Sequence, residues 1–271
     1  MVCFQSGAAL AKHLFPLVGA SGATALRTGF AAIMLFAVWR PWRVRCTRSE
    51  AWTILLYGMS IGWMNLCFYS SLKTIPLGIA VALEFTGPLA VAVAASRRPL
   101  DYVWIAMAVA GLLALLPLHI GSQRLDPVGL TLALGAGALW AMYIVFGRKA
   151  GAAHGGQITA LGMLVGALMI VPIGLSQNGA MLFSPAVLPL GIGVAVISSA
   201  LPYSLEMIAM PRIPTRMLGV LLSLDPALGA VSGLIFLGES LTWLQWGAIV
   251  CIMAASAGSA TSHAVQPPLP N

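Results

Sequence analysis

Ten long apolar runs, separated by short polar or Pro/Gly-containing junctions, make up nearly the whole sequence. A transmembrane helix needs about 20 mostly apolar residues to cross about 30 Å of hydrocarbon. Only 8% of the 271 residues are charged, whereas a soluble domain carries about 25%. The interior of a soluble domain of this size cannot bury so much apolar surface. The sequence therefore predicts an all-α integral membrane protein.

The predicted fold has ten transmembrane helices, the first of them short at its N-terminal end. Its fifteen residues rise only about 22 Å, so either this helix is stunted or the true start codon lies upstream, and the second is favoured. The tail at 262–271 contains three prolines and is expected to be disordered. The predicted spans are 1–15, 21–39, 52–71, 76–96, 101–118, 127–147, 157–175, 186–208, 215–236 and 241–261.

Basic residues are concentrated at alternate junctions between these spans. Ten of the fourteen follow spans two, four, six and eight: Arg40, Arg43, Arg45, Arg48, Arg97, Arg98, Arg148, Lys149, Arg212 and Arg216. By the positive-inside rule, these junctions and both termini lie in the cytoplasm of a bacterial-type inner membrane protein. Because the net charge of +7 arises from short clusters between apolar runs, it does not indicate a nucleic-acid partner.

The two halves of the chain resemble each other. Residues 24–35 and 159–170 share five identities in twelve, and an offset of 138 residues superposes Pro88 on Pro226. Each half, 1–118 and 127–261, has five predicted spans. An odd number turns the second half over in the membrane, giving a 5+5 inverted-topology repeat of the kind common in secondary transporters. A duplication kept only for packing is the alternative, and transport is favoured.

Two acidic residues lie near the middle of apolar spans that are repeat mates. Glu84 is in the fourth span and Asp225 in the ninth, and Pro88 and Pro226 follow them. Prolines kink helices, and interrupted helices at matching places in two halves point to a transport site. A charged carboxylate at the bilayer centre costs at least about 2.5 kcal/mol. These acids are therefore candidates for exchanging protons or pairing with a substrate ammonium, unless they are permanently protonated structural groups.

A third acid, Glu206, lies toward the cytoplasmic end of the eighth span, one turn after Tyr203 and beyond a predicted kink at Pro202. An ion pair with Arg212 or Arg216 is as well supported as a role in the transport site.

Polar side chains in the second, third and eighth spans, among them Asn65 and Tyr203, are candidate donors to a substrate carboxylate. Asn65, the repeat counterpart of Tyr203, lies deep in the third span with Tyr69 one turn later. An amide in this setting more often bridges helices than binds a ligand. Arg27, near the outer end of the second span, either holds a carboxylate or extends to the interface, and the second is favoured.

Small residues recur every four positions along the sixth and tenth spans and predict close helix packing in lipid. They are Gly129, Ala133, Gly137 and Ala141, and Gly247, Cys251, Ala255 and Ser259.

Enzyme chemistry is not indicated. The sequence contains no glycine-rich phosphate loop that would indicate an ATP-driven pump. The four histidines and four cysteines have no metal-ligand or disulfide spacing. No cofactor and no metal site are predicted.

Several segments resemble the EamA branch of the drug/metabolite transporter superfamily, in particular its inner-membrane exporters of threonine and homoserine. They are GAALAKHLFPLVGASGATALR, IPLGIAVALEFTGPLAVAVAASRRPLDYVW, LALGAGALWAMYI, LPYSLEMIAMPRIPTRMLG and DPALGAVSGLIFLGESLT. The resemblance implies a ten-helix 5+5 fold and efflux of threonine, homoserine and related amino acids against protons. The motif residues that carry over are Glu84, Thr86, Gly87, Pro88, Tyr203, Glu206, Asp225 and Pro226. Family members carry additional residues before the region that begins here at Met1.

Two other functions are compatible with the sequence. Trp63, Trp140 and Tyr143 could line an acidic site that takes drug-like cations, or the fold could export another metabolite. A truncated, non-transporting membrane protein is the third interpretation, and only the short first helix supports it. The oligomeric state is not indicated.

Overall fold

The computed structural model describes residues 1–43, 46–94, 99–115, 125–209 and 221–262. Within these residues every regular element is helical. The helices are α1 (Val2–Lys12), α2 (Phe15–Trp39), α3 (Arg48–Ser71), α4 (Leu77–Glu84), α5 (Thr86–Ala94), α6 (Pro99–Leu115), α7 (Pro127–Asn178), α8 (Val187–Ala195), α9 (Leu201–Ala209), α10 (Asp225–Leu237) and α11 (Trp243–Ser262). A π-helical segment, Val196–Ala200, joins α8 to α9. The tail at 263–271 and the first residues of the ninth predicted span lie outside the described residues.

The helices form an integral membrane protein, as predicted. Five segments of the described chain are long and apolar enough to cross a membrane, and four shorter apolar helices accompany them. With α1, these segments correspond to the ten predicted spans. The eleven residues of α1 make it the shortest of the ten.

The 52 residues of α7 contain two of the predicted spans. A straight helix of this length would extend about 78 Å, far more than one membrane crossing. The ring of Tyr57 contacts both Gly147 and Gly162, which a straight helix would hold about 22 Å apart. The chain therefore reverses between them, next to Gly155, whose φ of +22° lies outside the right-handed helical region. The two antiparallel arms are Pro127–Lys149 and Gly155–Phe183.

Glu239 joins three elements at one end of the bundle. Its Oε1 accepts a 2.6 Å hydrogen bond from Lys12 Nζ, which also makes this contact an ion pair. Its Oε2 accepts a 2.7 Å bond from the Leu77 N–H. Glu239 thus holds the end of α1 against the first turn of α4, where helix N–H groups have no partner within the helix.

Other contacts bring further junctions to this end. The Thr74 hydroxyl and the Gly129 N–H donate hydrogen bonds to Asp126, and these bonds hold the pKa of that carboxyl below its usual range. The Ser21 hydroxyl donates to Gln177 at 2.7 Å. The junctions that follow α1, α3, α7 and α10 and the start of α7 therefore share one end of the bundle, named here the Glu239 end.

The opposite end, named the Trp39 end, carries most of the basic residues that the structure describes. Trp39 packs against Gly156, which brings the α2–α3 junction next to the turn between the arms of α7. The basic residues at these two junctions are Arg40, Arg43, Arg48, Arg148 and Lys149. Two of the four basic junctions predicted to share one side of the membrane, those after the second and sixth spans, thus lie together at this end. The other two, with Arg97, Arg98, Arg212 and Arg216, lie outside the described residues.

Replacing Lys12 with methionine is expected to lower the free energy of unfolding by about 1 kcal/mol. The change removes a charged hydrogen bond to Glu239, but the pair is partly exposed to solvent and its energy is reduced accordingly. Thermal unfolding in detergent, followed by circular dichroism, measures the effect. Lys73→Met, an exposed lysine at the same end, is the matched control, and equal shifts in the two variants would contradict the role of the pair.

The two stripes of small residues differ in the structure. Along α7, Gly129 packs against Thr74 and Ile75, and Gly137 packs against the Glu84 carbonyl. Along α11 the prediction of close packing was wrong at Gly247. This glycine is exposed, and a Cβ atom added to it would meet no other atom within 4 Å. Ala255, another member of the predicted stripe, is buried, and Ala248 and Ile252 are buried with it.

Candidate functional site

Glu84 and Asp225 lie at helix ends deep in the bundle. Glu84 is the last of the eight residues of α4 and Asp225 is the first of the thirteen residues of α10. Both helices have their other end at the Glu239 end of the bundle. At a rise of about 1.5 Å per residue, the Cα atom of Glu84 is about 12 Å and that of Asp225 about 20 Å from this end, close to the midplane of a 30 Å hydrocarbon core. Only 9% of Glu84 and 4% of Asp225 is exposed, and α4 packs on α10 through Gly78 and Ala230.

The prolines account for the helix breaks beside both acids. Pro88 has no N–H for the Glu84 carbonyl, and the helix divides at Phe85. The Thr86 hydroxyl donates a 2.6 Å hydrogen bond to the Leu83 carbonyl at this break. Pro226 lies in the first turn of α10, where a missing N–H costs little. Both carboxylates thus stand where a helix is interrupted.

The two acids belong to one charged cluster. Glu84 interacts electrostatically with Asp225 and with Arg27. The side chain of Gln5 hydrogen-bonds Asp225, while Asp225 Oδ1 is buried without a hydrogen-bond partner among the described residues. Buried polar atoms normally have a hydrogen-bond partner. This oxygen can therefore still accept a hydrogen bond from a group other than the described residues.

Arg27 is buried on the Glu84 side of this cluster, and the prediction that it extends to the interface was wrong. It is the thirteenth residue of α2 and is only 6% exposed. Its Nε donates to Ser199 Oγ at 2.8 Å, Nη1 donates to Asn65 Oδ1, and Nη2 donates to the Ser198 carbonyl at 2.9 Å. The guanidinium also lies 5.0 Å from the ring centre of Tyr69. A buried charge needs such partners to offset its lost hydration.

Pro202 explains why the Ser198 carbonyl is free to accept a hydrogen bond from Arg27. In an α-helix this carbonyl would accept from the N–H four residues later, but that residue is proline. The helix widens into the π-helical segment Val196–Ala200 at this place. Such single-turn π segments occur often at functional sites. The proline therefore leaves a backbone acceptor inside the bundle, and Arg27 uses it.

Asn65 and Tyr69 both lie beside Arg27. Asn65 Nδ2 donates a 2.8 Å bond to the Ile61 carbonyl, which orients the amide with its oxygen toward the guanidinium. Tyr69 packs against Phe15 with ring centroids 6.3 Å apart. The structure thus brings Glu84, Asn65 and Tyr69 together around Arg27. Asp225 joins this group through its electrostatic interaction with Glu84.

The other predicted residues lie in different surroundings. Trp140 packs edge-on against Phe85, adjacent to Glu84, with centroids 5.8 Å apart. Tyr143 stacks on Tyr57, and Tyr203 packs on Phe4, in a second apolar cluster. The backbone of Glu206 belongs to α9, but its side chain lies outside the described residues. In the described part of the chain, no three His, Cys, Asp or Glu side chains could share a metal ion.

A bundle of membrane-crossing helices with a buried charged cluster at two helix breaks has the architecture of a membrane transporter. Residues 127–261 match the EamA-like transporter family, and the chain belongs to this family. The predicted resemblance is thereby confirmed, as is the prediction that the chain is a transporter and not an enzyme.

Several relatives of the chain are named transporters. The chain is 56% identical over 259 residues to the threonine/homoserine exporter RhtA of Salmonella typhimurium (strain SL1344) and to that of Escherichia coli (strain K12). These matches cover 96% of this chain and 88% of each exporter. The uncharacterized transporter YwfM of Bacillus subtilis (strain 168) is 26% identical over 86% of the chain. A crystal structure that is 19% identical over 98% of the chain shares the fold, with a TM-score of 0.64.

Proposed function

We propose that this protein exports threonine, homoserine and related small amino acids across the inner membrane in exchange for protons. The names of its relatives at 56% identity support this substrate class. The observation that carries the proposal is the buried pair Glu84 and Asp225 at two helix breaks, with Arg27 in electrostatic contact with Glu84. A zwitterionic amino acid presents both signs of charge, and so does this cluster.

The two carboxylates supply the coupling. The substrate ammonium binds Glu84 or Asp225 when that group is ionised, because a charged hydrogen bond is strong away from water. Protonation of the same carboxyl removes the charge that holds the ammonium. Proton entry and amino-acid release therefore compete for one site, and each proton taken up from outside favours release of the substrate there.

Alternating access follows from two halves of opposite orientation, 1–118 and 127–261. The break at Phe85 and the turn at Ser223 are separated by the same offset of 138 residues that superposes Pro88 on Pro226, which supports an inverted repeat. Exchange of conformation between the halves would open the site alternately to each side. The basic residues at the Trp39 end favour a cytoplasmic location for that end and for both termini.

Export of drug-like cations is less well supported. Trp63 is 38% exposed on the surface of the bundle, and Tyr143 is occupied by stacking on Tyr57. A buried guanidinium beside Glu84 would repel a cationic substrate that has no anionic group. The same guanidinium favours a zwitterion.

Efflux of labelled homoserine and threonine from preloaded cells tests the proposal. Cells expressing the protein are expected to lose label several times faster than cells with an empty vector, and a protonophore is expected to abolish the difference. A panel of cationic dyes serves as the specificity control. Efflux of neither amino acid from a protein located in the membrane would reject the proposed substrate, and efflux that resists the protonophore would reject proton coupling.

A further inference from the structure

The surroundings of Arg27 point to a second half of the substrate site. Among the described residues its hydrogen-bond partners are all neutral: the Asn65 amide, the Ser199 hydroxyl and the Ser198 carbonyl. Glu84 interacts electrostatically with Arg27, and it also interacts electrostatically with Asp225. The guanidinium is thus solvated by dipoles, and no carboxylate directly neutralises it within the described residues.

The three hydrogen bonds also fix the orientation of the guanidinium. A guanidinium has five N–H groups in one plane, and three of them donate to the partners above. The two donors that remain, one on each Nη, lie in the same plane, and a guanidinium can donate two N–H groups to the two oxygens of a carboxylate. The ring of Tyr69 at 5.0 Å covers a face of the group, so further ligands approach from the edge. Arg27 is therefore held ready for a planar anion.

We infer that Arg27 binds the α-carboxylate of the transported amino acid while Glu84 or Asp225 binds its ammonium. The inference rests on the proposed function and adds the recognition of the acid end of the substrate. An arginine without an ionic partner in a low-dielectric site gains most from a ligand that brings the missing charge. The site then selects free amino acids and rejects derivatives in which the carboxylate is neutral, such as amides and esters.

A purely structural arginine is the alternative. Its bonds connect α2 to α3 and to the π-helical segment, so loss of Arg27 could loosen all three elements. The two roles differ in one measurable respect, because a structural role affects every ligand to the same degree. A carboxylate-binding role affects only ligands that carry a carboxylate.

Titration calorimetry of the purified protein in lipid nanodiscs, with threonine and with threonine amide, separates the two roles. The wild-type protein is expected to bind threonine at least about 10-fold more tightly than the amide, the range for a lost charged hydrogen bond. Arg27→Gln is expected to reduce threonine affinity to the level of the amide and to leave amide affinity within about twofold. Arg48→Gln, at the exposed start of α3, is the matched control and should change neither.

Three results would overturn the inference. The first is equal wild-type affinity for threonine and its amide, and the second is an equal loss of both affinities in Arg27→Gln. If that variant does not fold, Arg27→Lys replaces it, since lysine keeps the charge but lacks the planar fork. Its threonine-to-amide affinity ratio should fall at least about threefold, and an unchanged ratio is the third result. Failure of the wild-type protein to bind threonine or homoserine at all would instead reject the proposed function, and the inference with it.

Discussion

Cells expressing Glu84→Gln are expected to export homoserine at less than about a tenth of the wild-type rate at every pH from 6 to 8. Glutamine preserves the shape of the side chain and can still form hydrogen bonds, but it cannot ionise. The substrate ammonium then loses a charge-assisted bond, and such bonds contribute about 1.5–3 kcal/mol, or roughly 10- to 100-fold. Asp225→Asn is expected to have an effect of similar size, because Asp225 and Glu84 form one electrostatic cluster.

The two variants also distinguish the role of each acid. A carboxyl that only carries the proton can be replaced without losing substrate binding, so exchange of labelled for unlabelled homoserine across the membrane should persist. A carboxyl that binds the ammonium cannot be replaced without losing substrate binding, so exchange should be lost together with net efflux. Any residual efflux should no longer respond to a protonophore in the variant that has lost proton coupling.

Glu50→Gln is the matched control for these changes. Glu50 is an exposed acid of the capping box at the start of α3, so the same chemical change occurs far from the bundle centre. Its efflux rate should equal that of the wild type at equal expression. Wild-type rates from both Glu84→Gln and Asp225→Asn over the same pH range would refute the proposed coupling mechanism.

The positions of these two acids were predictable from the sequence because two strong signals coincide there. A carboxylate inside an apolar run is costly, and a nearby proline interrupts the helix. The same signals in the fourth and ninth spans identified both halves of the carboxylate pair. The helix break at Phe85 was predictable for the same reason, since Pro88 cannot donate to the Glu84 carbonyl.

Arg27 was misplaced because depth in a membrane depends on where a helix starts. The predicted second span began at residue 21, so that Arg27 stood near its outer end. In the structure α2 begins at Phe15, with Pro16 in its first turn, and Arg27 is at the middle. A kink at Gly19, where the backbone is non-helical with φ of +60°, separates the first turn of α2 from the rest of the helix. Apolar runs show that a helix is present but do not fix its first residue.

The aromatic candidates illustrate a second limit. In a soluble protein, an apolar face indicates which side of a helix is buried, but lipid is as apolar as a protein core. Tyr143 and Trp140 therefore carry no sequence signal for the direction in which they point. Tyr143 packs against Tyr57 and Trp140 packs against Phe85. Only packing between helices decides such orientations, and it depends on the whole bundle.

Replacing Gly137 with valine is expected to prevent the protein from assembling. A Cβ atom at this position would lie 2.7 Å from the Glu84 carbonyl oxygen and 3.2 Å from the Leu83 carbonyl oxygen. Gly87 of α5 lies against the Gly137 backbone, where a Cβ atom on Gly87 would meet the Gly137 carbonyl oxygen even more closely. Backbone atoms cannot rotate away as side chains can, so the helices must separate. Overpacking typically costs about 1–3 kcal/mol where side chains can adjust, and the cost here should exceed that range.

The yield of monodisperse protein by size-exclusion chromatography of detergent extracts measures assembly, and Gly135→Val is the matched control. Gly135 lies on the same helix two residues earlier, and a Cβ atom there would meet nothing within 4 Å. Helix propensity and side-chain volume change equally in the two variants, so only the packing differs. Loss of monodisperse protein in Gly137→Val alone would mean that the first arm of α7 sets the position of the break at Glu84. Equal yields would mean that the break is held by Pro88, and that α7 can move away from the carboxylate without cost.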